Sequence, residues 1–150
     1  MSLSTPRDVE RYLHEHIPLS QAMGVYVVTA GPDGVTLSAP LAPNINHRET
    51  VFGGSASALA ILASWTLIHQ RLSAAGIRCR LVIQRNSMSY SKPILDEFSA
   101  RTLPLDDEAW ETFLKMYGRW QRGRIRVHSV LECRGEQVGE LEGDFVALGD

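Results

Sequence analysis

The stretch Phe52-Gly53-Gly54-Ser55 places two glycines and a serine at the head of a run, Thr50 to Gln70, that contains no Asp, Glu, Lys or Arg. If that run is a helix, its first backbone N–H groups have no internal acceptor and sit at the positive end of the helix dipole. Glycine lets a substrate approach such a backbone closely. The chemistry this suits is stabilisation of an oxyanion, where one preorganised N–H is commonly worth ~3 kcal/mol. Gly54, with Gly53 or Ser55 beside it, is the expected oxyanion site; the bland alternative is a sharp turn into a tightly packed helix. Polar residues stand just upstream. His47 titrates near neutrality and needs no large shift to act as a general base. Glu49 would need burial to raise its pKa. Asn46 is suited to orienting a water in either scheme. Ser55, Ser57 and Ser64 on the run itself are further candidates, and a solvated loop is the alternative reading of His47 and Glu49.

Other chemistries fit less well. A serine nucleophile elbow needs glycine two residues after the serine, and Ser57 occupies that place after Ser55. The five histidines form no H-x-x-x-H pair with an acidic partner, and His14 and His16 fall on different sides of one helix, so no metal site is expected. No G-x-G-x-x-G or Walker pattern occurs. Cys79 and Cys133 have no metal-like spacing and read as strand-packing thiols of a reducing cytosol. A net charge of -2 implies neither nucleic acid nor an anionic membrane as partner. Arg119, Arg122, Arg124 and Arg126 do cluster, either as solvated edge charge or toward a phosphate-rich ligand. The N-terminus is polar and charged, without the apolar core of a signal peptide.

The elements that must position these groups follow from pattern. Thr5 or Ser4 with Pro6 starts a helix that Val9, Tyr12, Leu13 and Ile17 continue and Pro18 stops. Val25–Ala30 and Val35–Leu41 flank Gly31-Pro32-Asp33-Gly34 as a hairpin. The uncharged run is a helix from Gly53 or Gly54 to about Ala74, with Gly76 as its stop. It is long enough to tempt a membrane reading, but it is rich in Ala, Ser and Gly, which gain little in lipid. A helix apolar on nearly every side is instead surrounded by protein. Strands over Arg80–Tyr90 and Glu97–Leu103, a helix from Asp106 with apolar Trp110, Phe113, Leu114 and Tyr117, and two final strands complete the chain. Hairpin-joined strands imply an antiparallel sheet curled around the central helix, an α+β fold in a single domain over 1–150.

That order, with Asn46 and Phe52-Gly53-Gly54-Ser55 leading into the buried helix, resembles the hot-dog fold of acyl-thioesterases, in which an antiparallel sheet wraps a long helix. The chain is most similar to the thioesterase domain of the YiiD C-terminal type. The resemblance rests on Asn44-Ile45-Asn46 with Thr50–Ser55, on Ser87-Met88-Ser89-Tyr90-Ser91-Lys92-Pro93, and on the order of elements from Val9 to Leu148. It implies hydrolysis of an acyl-coenzyme A or acyl-carrier-protein thioester, the coenzyme or pantetheine being part of the substrate and no separate cofactor being needed. It implies catalytic roles among Asn46, His47, Glu49, Gly54 and Ser55 and substrate contacts from Phe52, Gly53, Ser87 and Tyr90. It further implies a cytoplasmic homodimer or tetramer, with Ser87 reaching across the interface, unless Ser87 belongs to a plain polar sheet face. Phenylacetate-degradation-type relatives carry His where this chain has Phe52, and an acidic residue where it has Ile61. That departure leaves the base open and keeps a non-catalytic acyl-thioester binder or sensor as the alternative. A dehydratase would want Asp or Glu paired with His near the helix, and no Asp lies there.

Overall fold

The computed structural model describes residues 5–150. The first helix, α1 (Pro6–His16), is capped by Thr5, whose side chain accepts from the Asp8 N–H, and Val9 and Leu13 are its buried face. Ser4, the other candidate cap, lies outside the described residues. Pro18 ends α1 but also begins a second helix, α2 (Pro18–Ala22), that the pattern did not announce. The reason is that proline suits a first helical turn as well as it disrupts an interior.

The hairpin forms as expected from β1 (Tyr26–Gly31) and β2 (Gly34–Ala39). A short 3-10 turn, Ala42–Asn44, and a loop then lead to α3 (Gly53–Ala74). The remaining elements are β3 (Arg80–Tyr90), β4 (Phe98–Thr102), α4 (Asp107–Trp120), β5 (Arg122–Cys133) and β6 (Glu136–Leu148). All six strands form one antiparallel sheet in the order β1-β2-β4-β5-β6-β3. No helix among the described residues is long and apolar enough to cross a membrane.

The sheet holds α3 in its concave face. Ala56, Ala60, Ala63 and Ser64 are fully buried, and their small size lets strands come close to the helix backbone. Ser129 on β5 donates to the Ala60 carbonyl at 3.2 Å, a contact that a larger residue at 60 would obstruct. Leu59, Leu67 and Ile68 fill the space around it, as do Leu37, Phe98, Leu131 and Phe145 from the strands. Truncating one such leucine to alanine costs about 2–5 kcal/mol. The wrap is not complete. Ala58, Ile61, Trp65 and His69 recur at helical spacing and stay only half-buried. The sheet was expected to cover every face of α3, but β3 is an edge strand, bonded only to β6, and it covers the stripe only in part: the Trp65 indole donates to the Leu81 carbonyl of β3, and Tyr12 of α1 stacks on His69.

The register of β3 decides which residues can serve α3. Met88 lies opposite Leu141, and Asn86 and Tyr90 lie opposite Gly143 and Gly139. Directly opposed residues share a face, and Leu141 is core, so Asn86, Met88 and Tyr90 point toward α3. Ser87 and Ser89 lie opposite Glu142 and Glu140 on the outer face.

Candidate active site at the start of the central helix

The approach to α3 is a loop organised by one side chain. The Asn46 Oδ1 accepts from the backbone N–H of Arg48 at 2.8 Å and of Thr50 at 3.2 Å, while its Nδ2 donates to the Thr50 hydroxyl at 2.9 Å. Backbone bonds from Asn46 to the Thr50 carbonyl and from Glu49 to the Asn46 carbonyl close the same turn. The result holds Glu49 at φ 62, a left-handed conformation that costs a residue with a Cβ about 1–2 kcal/mol. His47 and Glu49 are both exposed on this turn. Asn44 anchors the base of the loop: it is buried, donates to the Met23 and Pro40 carbonyls, and accepts the Phe52 N–H on its own carbonyl.

Phe52 is the N-cap of α3, and no side chain caps this end. Ser55 makes no capping bond either. The Phe52 carbonyl takes the N–H groups of Ser55 and Ala56. The N–H groups of Gly53 and Gly54 find no acceptor among the described residues, which is the state an oxyanion donor needs. The dipole of a 22-residue helix converges there. An aromatic ring lies close to each glycine. A Cβ on Gly54 would stand 2.4 Å from the Phe52 ring, and one on Gly53 would touch the Tyr90 ring at 3.6 Å. The Tyr90 hydroxyl donates to the Gly53 carbonyl at 2.9 Å, fixing the end of β3 against the first turn of α3.

Beside this turn lies an open cavity of about 270 Å³, lined by Val51, Ala56, Tyr90, Lys92, Pro93 and Ile94. Val51 is tied to its far wall by a bond from its N–H to the Ile94 carbonyl. Lys92 is ion-paired with Glu136, whose carboxyl the ammonium holds below its usual range. The structure therefore brings together Gly53, Gly54, Phe52 and Tyr90, with Asn46 as the organiser of the adjoining turn. Ser87 is not brought to the helix start within one chain, because it faces outward beside Glu142 and His128. Asn86 was missed as a candidate. It is a polar residue of β3 that shares the α3 face, put there by the register shift between Ile83 and Arg85. Ile61, where the resemblance implied an acid, is half-buried on the partly covered stripe of α3. No cluster of three or more metal-ligating side chains occurs among the described residues.

A long helix gripped by a six-stranded antiparallel sheet, with a glycine-rich first turn at an open cavity, defines a hot-dog protein. The chain belongs to the family described as "Putative thioesterase (yiiD_Cterm)", whose pattern matches residues 6–149. Solved structures agree with the fold. A protein of unknown function from Chlorobaculum tepidum superposes with a TM-score of 0.89 at 26% identity, covering 99% of each chain. A "putative thioesterase" from Shewanella oneidensis gives 0.84 at 22% identity, covering 95% of this chain and 96% of that one. A "Probable Thioesterase" from Pseudomonas aeruginosa gives 0.83 at 21% identity over the whole of both chains.

Proposed function

We propose that this protein hydrolyses an acyl thioester at the start of α3. The observation that carries the reading is the pair of unpartnered N–H groups on Gly53 and Gly54, aimed from a helix N-terminus beside an open cavity in a member of a thioesterase family. The thioester carbonyl oxygen sits against the Gly54 N–H. Water adds to the carbonyl carbon, the negative charge collects on that oxygen, and the C–S bond breaks to give a carboxylic acid and a thiol. Phe52 and Tyr90 flank the acyl group. Asn46 acts as a positioning residue, holding the turn from which His47 or Glu49 takes the proton of water. The strained φ of Glu49 favours that assignment, since conformational cost concentrates where a side chain must be aimed. Two copies pair along the free edge of β3, which removes an exposed edge from each and covers the half-buried stripe of α3.

A second reading, a binder that does not hydrolyse, is favoured by one observation. The cavity wall carries no carboxylate or histidine, and α3 carries no acid. The discriminating experiment is thiol release from a panel of acyl-coenzyme A and acyl-pantetheine thioesters, with a binding titration on the same compounds. Turnover that is lost in the His47→Gln or Glu49→Gln variant supports hydrolysis. Saturable binding without turnover selects the binder.

A further inference from the structure

We propose that a cleft between the end of α4 and the outer face of the sheet binds the adenosine phosphate portion of coenzyme A, so that the substrate is a coenzyme A thioester and not a carrier-protein thioester. The inference rests on the thioester reading above and names its substrate class.

The cleft has a volume of about 290 Å³ and is lined by Gln84, Met116, Trp120, Arg122, Arg124 and Val146. Its construction is specific. The last residue of α4 is Trp120, and Gln121 follows at φ 54, so the chain reverses and Arg122 begins β5 directly after the indole. Gly123 allows α4 to lie against β5, since a Cβ there would meet the Phe113 carbonyl oxygen at 2.9 Å. Trp120 is 65% exposed, the highest value among the exposed large apolar side chains, and Met116 beside it is 42% exposed. The Arg119 guanidinium lies 4.8 Å from the indole centroid.

The charge pattern selects the ligand. Every ionisable residue lining the cleft is an arginine, and no carboxylate lines it. Arg119 and Arg122 make no ion pair among the described residues, and Arg124 makes no direct one but feels the Asp144 carboxylate at longer range, whereas Arg101, Arg126 and Arg134 each hold a carboxylate. Unpaired guanidinium groups suit a phosphate, which they hold through paired N–H donors. An exposed indole with a thioether beside it suits the flat face of a purine, and the Gln84 amide can serve its edge. Arg119, in the last turn of α4, offsets the negative end of the helix dipole that would otherwise repel the phosphate. A carrier protein attaches the phosphopantetheine arm through a serine phosphodiester, has no adenosine, and gives Trp120 nothing to stack on.

The test uses the full chain and two kinds of probe. Adenosine 3′,5′-bisphosphate, which has no thioester, is titrated calorimetrically into the wild type, Trp120→Ala and the double variant Arg122→Gln/Arg124→Gln, each checked for fold by circular dichroism. Binding is expected in the wild type and at least ~10-fold weaker in both variants. Thiol release is then measured on one acyl group carried by coenzyme A, by pantetheine and by an acyl-carrier protein. The double variant is expected to raise KM for the coenzyme A thioester ~10-fold, with kcat kept and pantetheine thioester hydrolysis unchanged. Bisphosphate binding that the variants do not weaken, or a carrier-protein thioester preferred over the coenzyme A thioester, overturns the cleft. Absence of turnover on every thioester, with the bisphosphate still bound through Trp120, overturns hydrolysis and leaves the cleft standing.

Discussion

Replacing Gly54 by proline removes one N–H and little else that the helix needs. Gly54 lies in the first turn of α3, where its N–H has no intrahelical partner. Proline is tolerated there for that reason. The new ring does crowd Phe52, because a Cβ at this position already stands 2.4 Å from the Phe52 ring. That ring is 58% exposed and can swing outward at small cost. Gly54→Ala makes the same demand on Phe52 but keeps the N–H, so the pair of variants separates donor from wall. If the Gly54 N–H stabilises the oxyanion, its loss costs about 2.7–4 kcal/mol in the transition state, a fall of 10²–10³ in kcat. Gly54→Ala is expected to lose less than ~10-fold, mostly in KM, with its N–H intact. The assay is thiol release on the best thioester of the panel, with thermal melts showing both variants folded. Equal losses in the two variants, or a proline variant within ~3-fold of wild type, would refute the oxyanion assignment.

Glu49→Gly relieves a left-handed backbone and is expected to stabilise the fold by about 1 kcal/mol; a chemical denaturation curve measures this, and the same variant is expected to lose turnover if Glu49 is the base. Gly123→Ala forces a methyl group against the Phe113 backbone carbonyl, which cannot yield as a side chain would, so a loss of about 1–3 kcal/mol and a lower melting temperature are expected. Stability should also fall in acid in two stages. Burial, with the charge of His16 as a smaller cause, holds His69 below its ordinary 6.5, so the unfolded chain binds more protons as pH drops through 6.5 and the folded state weakens there. The hydrogen bonds from Arg126 hold Asp144 below its ordinary 3.8, so its contribution is present above that pH and is lost beneath it. Melting temperature against pH reads both stages, and His69→Phe, which keeps a ring in the stack between Tyr12 and Trp65, should abolish only the first.

Local pattern determined much of this protein. The limits of α3 and β3 could be read from the chain because an uncharged helical run ends at a glycine, and because an extended segment ends before Pro93. The Gly-Gly start could be recognised as a helix end with free N–H groups because helix ends always leave them. Thr5 was similarly legible as one of two candidate caps, since capping involves residues three apart. Tertiary structure decided the rest, where partners are distant in sequence or a single irregularity resets a pattern. A register shift between Ile83 and Arg85 fixes which of Asn86 and Ser87 faces α3, and strict alternation through Gln84 cannot place it. Asn46 looked like a group that would handle water, but its bonds lie within the turn that presents Glu49. Phe52 became the N-cap of α3, with its ring folded over Gly54. The reversal at Gln121 sets Trp120 beside Arg122 and Arg124 in one cleft, which no local pattern announced. Sequence fixes what each residue can offer; register and chain reversal, which depend on the whole sheet, decide what it faces.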